Sequence, residues 1–172
     1  MLNSRTSLRI AQVGLVAALY AAITVLLAPI SYGPIQIRIA EALTVLPYIF
    51  PPAIWGLYVG CLVANIFGGL GPWDIFLGSF LTLLAAIGTY LLRRTQRPWL
   101  APLPPVFINA LGVSAYLQFL VTGFTPGIKT YFFFVLTIGV GETIACYLLG
   151  YPLLLFLMKS HFFEKSGSWY AS

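Results

Sequence analysis

Charge is scarce in this chain: Asp, Glu, Lys and Arg make up 8% of its 172 residues and 60% are hydrophobic, whereas soluble domains carry about 25% charged residues. Too few polar residues remain to cover a water-soluble globule, and the apolar residues recur in blocks long enough for helices crossing a bilayer about 30 Å thick. Histidine is nearly absent. The single one, His161, follows the last apolar run, which excludes a His-based nucleophile or metal cluster within the membrane. No Gly-Lys dipeptide occurs, so the chain has no phosphate-cradling loop of the nucleotidase kind and cannot power transport with ATP by itself. The two cysteines, Cys61 and Cys146, lie inside apolar runs without metal-ligand spacing and read as small buried hydrophobes rather than a disulfide. These absences argue against an enzyme and imply no cofactor and no metal. No internal repeat is visible.

What is present is a series of apolar runs separated by proline and glycine clusters. They predict an all-α integral membrane protein of one domain, 1–172, with six transmembrane helices at about 8–29, 37–50, 52–69, 75–92, 103–122 and 130–158. The first run is too long for a secretory signal and reads as a retained span. The second, at 1.5 Å per residue, reaches only about 21 Å, so it is either tilted with neighbours that shelter its ends or only partly spanning. Pro51 and Pro52 mark a tight turn to the third. Lys and Arg near span ends favour the cytoplasm. Arg5 and Arg9, then Arg93, Arg94 and Arg97, then Lys159 and Lys165 fall on one side of a six-span protein, which puts both termini in the cytoplasm. Arg38 and Lys129 fall on the outer face against that bias, which makes them candidates for function. The net charge of +5 is accounted for by topology and by anionic lipid heads, with no nucleic-acid partner implied.

Each ionisable side chain at membrane depth costs about 2.5–3.5 kcal/mol on insertion scales unless paired or wetted. The polar residues at depth are Glu41, Asn65, Asn109, Gln118 and Glu142, with Arg38 and Asp74 at outer span ends. Glu41 follows Arg38 by three residues, so the two either pair on one helix face or contact a ligand. Asp74, after Pro72 and Trp73, reads more readily as a cap of the fourth span than as a ligand contact. Glu142, between Gly141 and Thr143 with no cation within helical reach, is the sharpest candidate for ligand binding; a protonated carboxyl, and pairing with Arg38 or Lys129 across the bundle, are the other readings. Asn109 and Gln118 divide between ligand contact and interhelical hydrogen bonding. Tyr32, Trp73, Tyr116, Phe124 and Tyr131 supply outer-end aromatics, mostly an interfacial belt. A few of them beside carboxylates and amides suit a small planar heterocycle rich in hydrogen-bond donors, and a carboxylate accepts two parallel donors or an ammonium. Gly14, Ala18 and Ala22 on the first span, and Gly56, Gly60 and Ala64 on the third, form small-residue stripes that either seal the bundle or meet a partner.

Two stretches carry a resemblance. Tyr32 to Pro47 (YGPIQIRIAEALTVLP), and Ala64 to Asp74 (ANIFGGLGPWD) running into Gly78 to Ala86 (GSFLTLLAA), resemble the QueT family, the substrate-binding S components of energy-coupling factor (ECF) transporters for queuosine precursors. The resemblance implies a six-helix bundle in the bacterial inner membrane with an outward pocket beneath the loops after spans one, three and five. It implies capture of a 7-deazaguanine base, such as the 7-aminomethyl precursor or queuine, and docking through Gly14, Ala18 and Ala22 onto a transmembrane scaffold protein served by two cytoplasmic ATPases. An S component for another vitamin, and a non-transporting membrane scaffold, are the alternatives.

Overall fold

The computed structural model describes residues 4–32, 37–122 and 127–160. Phe124, His161 and Lys165 lie outside the described residues. Within them the chain is helical, without strands. Helix α1 covers Ser4–Leu26, and a single helical turn, Ala28–Ser31, follows it with Pro29 inside. A 3-10 helix occupies Ile39–Tyr48. Helix α2 covers Ala53–Gly68, α3 Asp74–Thr95, α4 Leu103–Thr122 and α5 Ile128–Lys159. Among the described residues four helices are long and apolar enough to cross a membrane, and two further apolar helices, Ile39–Tyr48 and Ala53–Gly68, are shorter.

Eight of the ten residues of the 3-10 helix are buried. Between α1, α3 and the middle of α5, the 3-10 helix buries Ala40, Ala42, Val45 and Leu46. Ten residues at about 2.0 Å each stretch it to about 20 Å. Neighbouring helices cover this short element on several sides. Gly150 of α5 explains the close fit: a Cβ there would stand 2.8 Å from the Ala42 carbonyl oxygen.

Small residues make the α1–α2 contact. A Cβ on Gly56 would meet Val16 Cβ at 2.6 Å, and one on Gly60 would meet the Ala17 carbonyl at 2.7 Å, so backbone approach requires glycine at both. The stripe on α2 thus seals the bundle. The stripe on α1 does not: Val16, Ala17 and Tyr20 turn inward, while Gly14, Ala18 and Ala22 stay exposed.

Two helices change pitch. Residues Asp74–Gly78 at the start of α3 and Ile144–Gly150 within α5 are π-helical, a wider turn that re-aims side chains and recurs at functional sites. Between α2 and α3, Gly69 (φ 71°) and Gly71 (φ 96°) take left-handed backbone, which ends α2 and turns the chain into Pro72, Trp73 and Asp74.

A buried polar cluster as the candidate functional site

The chain has four acidic residues; three of them, Glu41, Asp74 and Glu142, converge inside the bundle, where each is at most 5% exposed. They come from the 3-10 helix, from the π-turn opening α3, and from the last turn of α5 before its own π-segment.

Asp74 anchors one half. Arg38 Nη2 lies 3.5 Å from Asp74 Oδ1, and the Tyr116 hydroxyl donates to the same oxygen at 2.6 Å. Asn65 Nδ2 donates to the Asp74 backbone carbonyl at 2.8 Å. The Arg38 guanidinium also sits 5.6 Å from the Tyr32 ring centroid, within cation–π range. Tyr32 in turn donates its hydroxyl to the Ala64 carbonyl at 2.5 Å.

Two expectations are corrected here. Arg38 pairs with Asp74, not with Glu41, because it is the extended residue preceding the 3-10 helix (φ −89°, ψ 94°) and its side chain leaves toward α3. Asp74 does not cap α3: its carboxylate turns inward to Tyr116 and Arg38, and no side-chain capping bond forms at that helix start.

Glu41 and Glu142 form the other half. Tyr20 of α1 donates a hydrogen bond to Glu41 Oε1. Asn109 Nδ2 donates to Glu142 Oε1 at 3.1 Å. Cys146 Sγ stands 3.6 Å from Glu142 Oε2 and 3.4 Å from the Glu41 backbone carbonyl. Neither glutamate meets Lys129, which is exposed at the start of α5. Gln118 stays outside the cluster too, donating to the Ala115 carbonyl of its own helix at 3.3 Å.

The cysteines are more than apolar filler. Both are free and buried, and Cys61 receives Thr82 Oγ1 at 3.4 Å, Asn65 Nδ2 at 3.5 Å and Arg38 Nη1 at 3.9 Å. Cys61 and Asn65, like Glu142 and Cys146, are four residues apart on one helix, a spacing that flags a shared face. Tyr20 and Thr82 gave no comparable sign, since single polar residues in long apolar helices usually bond locally.

Several buried polar atoms in the cluster have no hydrogen-bond partner: Glu41 Oε2, Asp74 Oδ2, Asn65 Oδ1, Asn109 Oδ1, and Nε and Nη2 of Arg38. Four of these six are acceptors. Such atoms are rare in native interiors because each costs the desolvation of a polar group. Beside them runs a cleft of about 380 Å³ between α3 and α4, lined by Trp73, Leu77, Phe80, Gly112, Tyr116 and Phe119. Its walls are almost wholly apolar, so the cleft and the polar cluster are distinct regions that share Tyr116 as a wall. Trp73, at the rim, is exposed.

A curated relative, the queuosine precursor transporter QueT of Lactococcus lactis subsp. cremoris (strain MG1363), is 34% identical over 94 residues. That match covers 52% of this chain and 54% of the relative, so about half the length of each is aligned. No solved structure matches. The family model described as QueT transporter matches residues 10–159, which takes in every helix of the cluster, and this multi-helix membrane protein therefore belongs to the QueT transporter family.

Proposed function

We propose that this chain is the substrate-capturing S component of an ECF uptake transporter and that it carries a queuosine precursor, a 7-deazaguanine base. The observation that carries the reading is the convergence of unpartnered acceptors, Glu41 Oε2, Asp74 Oδ2, Asn65 Oδ1 and Asn109 Oδ1, in one buried cluster. A guanine-like edge offers parallel N–H donors, and carboxylate and amide oxygens accept them. The adjoining cleft falls within the usual size of small-molecule sites, about 300–1,000 Å³, and offers aromatic walls to a flat ring.

In this reading six helices cross the bacterial cell membrane with both termini in the cytoplasm, and the ligand enters from outside. Without a nucleotide-binding loop of its own, the chain relies on partners for energy. Gly14, Ala18 and Ala22, left exposed on α1, would meet a transmembrane scaffold bound to two cytoplasmic ATPases, since small residues allow close helix approach.

Calorimetric titration of the detergent-purified chain with 7-aminomethyl-7-deazaguanine, with guanine and thiamine as controls, tests the ligand. Saturable binding of the deazaguanine alone is expected. Binding of thiamine instead would assign the chain to another vitamin, and binding of none would leave a membrane scaffold as the better description.

A further inference from the structure

One end of the bundle carries charge that the rest of the protein does not answer. The turn from α3 to α4 holds Arg93, Arg94 and Arg97, with Trp99 just beyond. Of the chain's four acidic residues, Glu41, Asp74 and Glu142 are buried in the cluster, and Glu164 lies outside the described residues. Among the described residues no carboxylate pairs with any of these three arginines.

Side-chain bonds build the turn. Arg93 lies 4.2 Å from the centroid of the Tyr90 ring, a cation–π contact that holds it against α3. Thr95 Oγ1 donates to the Leu92 carbonyl at 2.7 Å and accepts the Arg97 amide at 3.3 Å. Gln96 takes left-handed backbone (φ 54°), and its amide donates to the Arg93 carbonyl at 3.1 Å, so the chain reverses between Arg94 and Arg97. Two tethers hold the exit. The buried Thr89 hydroxyl donates to the Ala101 carbonyl at 2.9 Å, and Tyr147 of α5 donates to the Trp99 carbonyl at 3.3 Å. Arg94, Arg97 and Trp99 stay exposed.

Length places this turn at the membrane surface. Helix α3 has 22 residues, about 33 Å at 1.5 Å per residue, which matches a hydrocarbon core of about 30 Å. Helix α4 begins at Leu103, so the few residues between the two have no length to reach beyond the headgroup layer. A tryptophan belongs at that depth. Guanidiniums without carboxylates meet lipid phosphate there, and the planar fork of arginine matches phosphate oxygens.

We propose that Arg94, Arg97 and Trp99 form a site for one anionic phospholipid, whose phosphodiester the two guanidiniums take and whose glycerol region packs on the indole. The site lies at the opposite end of α3 from Asp74 and stands independently of the base-binding reading. Basic span ends are attracted to anionic membranes in general; this site depends on these residues and not on total charge.

The test is native mass spectrometry of the detergent-purified full chain, titrated with dioleoyl phosphatidylglycerol or with dioleoyl phosphatidylcholine, which has the same tails and a cation in its headgroup. Preferential binding of one phosphatidylglycerol is expected. Arg94→Gln and Arg97→Gln should each weaken it about fivefold, the worth of one basic residue at an anionic surface. Lys129→Gln removes the same charge from the exposed start of α5 and should leave binding unchanged. Equal affinity for the two lipids overturns the site, and an equal loss from Lys129→Gln reduces it to net charge and overturns it too. Displacement of the lipid by inorganic phosphate at the same concentration would make the ligand a free phosphate, and displacement by a polyglutamate peptide would assign the turn to an acidic protein segment; either result overturns the lipid site. Should a glutamine variant not fold, Arg94→Lys, which keeps the charge and loses the planar fork, should still weaken binding, and unchanged affinity there overturns the site.

Discussion

The two ends of the buried cluster use similar residues, a carboxylate, a tyrosine hydroxyl and an asparagine amide, but only one of them has a cation. At Asp74 the charge is met by Arg38 at 3.5 Å and by the Tyr116 hydroxyl, while Asn65 donates to the residue's backbone carbonyl. At Glu41 and Glu142 the neighbours are neutral donors, Tyr20, Asn109 and Cys146. The difference separates a carboxylate held by an ion pair from carboxylates held only by neutral donors. A buried ion pair is costly to break, because removing one partner strands the other, whereas neutralising an unpaired carboxylate removes a burden from the fold.

The largest effect should come from breaking the balanced end. Asp74→Ala leaves the Arg38 guanidinium buried without its partner and is expected to destabilise the protein by about 3–5 kcal/mol, read as a lowered melting temperature in detergent. Glu142→Gln, which keeps the shape and drops the charge, should melt at or above the unsubstituted chain. Similar losses from both substitutions would erase the distinction between the two ends.

Tyr116→Phe sharpens the comparison at intermediate size. The hydroxyl makes a 2.6 Å bond to Asp74 and also walls the cleft, so its loss is expected to cost about 1.5–3 kcal/mol, the range for a hydrogen bond to a charged group. Stability and deazaguanine affinity should both fall, and a fall in stability alone would take Tyr116 out of the ligand site.

The smallest effect on affinity belongs outside the cluster. Ala18→Leu places a bulky side chain on the exposed stripe of α1 and should leave ligand binding by the isolated chain unchanged while preventing co-purification with the proposed scaffold subunit. Normal co-purification would remove that face from the assembly.

The amino-acid sequence by itself determined the solvent and the building blocks. Long apolar blocks with few charges require helices in lipid, where backbone groups must be satisfied within the segment. Prolines and glycines at 51–52 and 68–72 mark the turns, and the cost of polarity at depth singled out Glu41, Asn65, Asn109 and Glu142. Periodicity alone could not show how these residues combine, because it fixes which face of one helix a residue occupies and not which helix lies opposite.

Only tertiary structure decided the partnerships. It turned Arg38 from its sequence neighbour Glu41 to Asp74, since the chain is extended at Arg38 and its side chain leaves the 3-10 helix. It drew both cysteines into the polar cluster, and the π-turns at Asp74–Gly78 and Ile144–Gly150, which shift side-chain direction, have no simple sequence signature. It also told apart two small-residue stripes that read alike: Gly56 and Gly60 on α2 are closed against α1, and Gly14, Ala18 and Ala22 on α1 are open. Burial is a property of the packed bundle, and a helix does not carry in its own spacing the identity of what covers it.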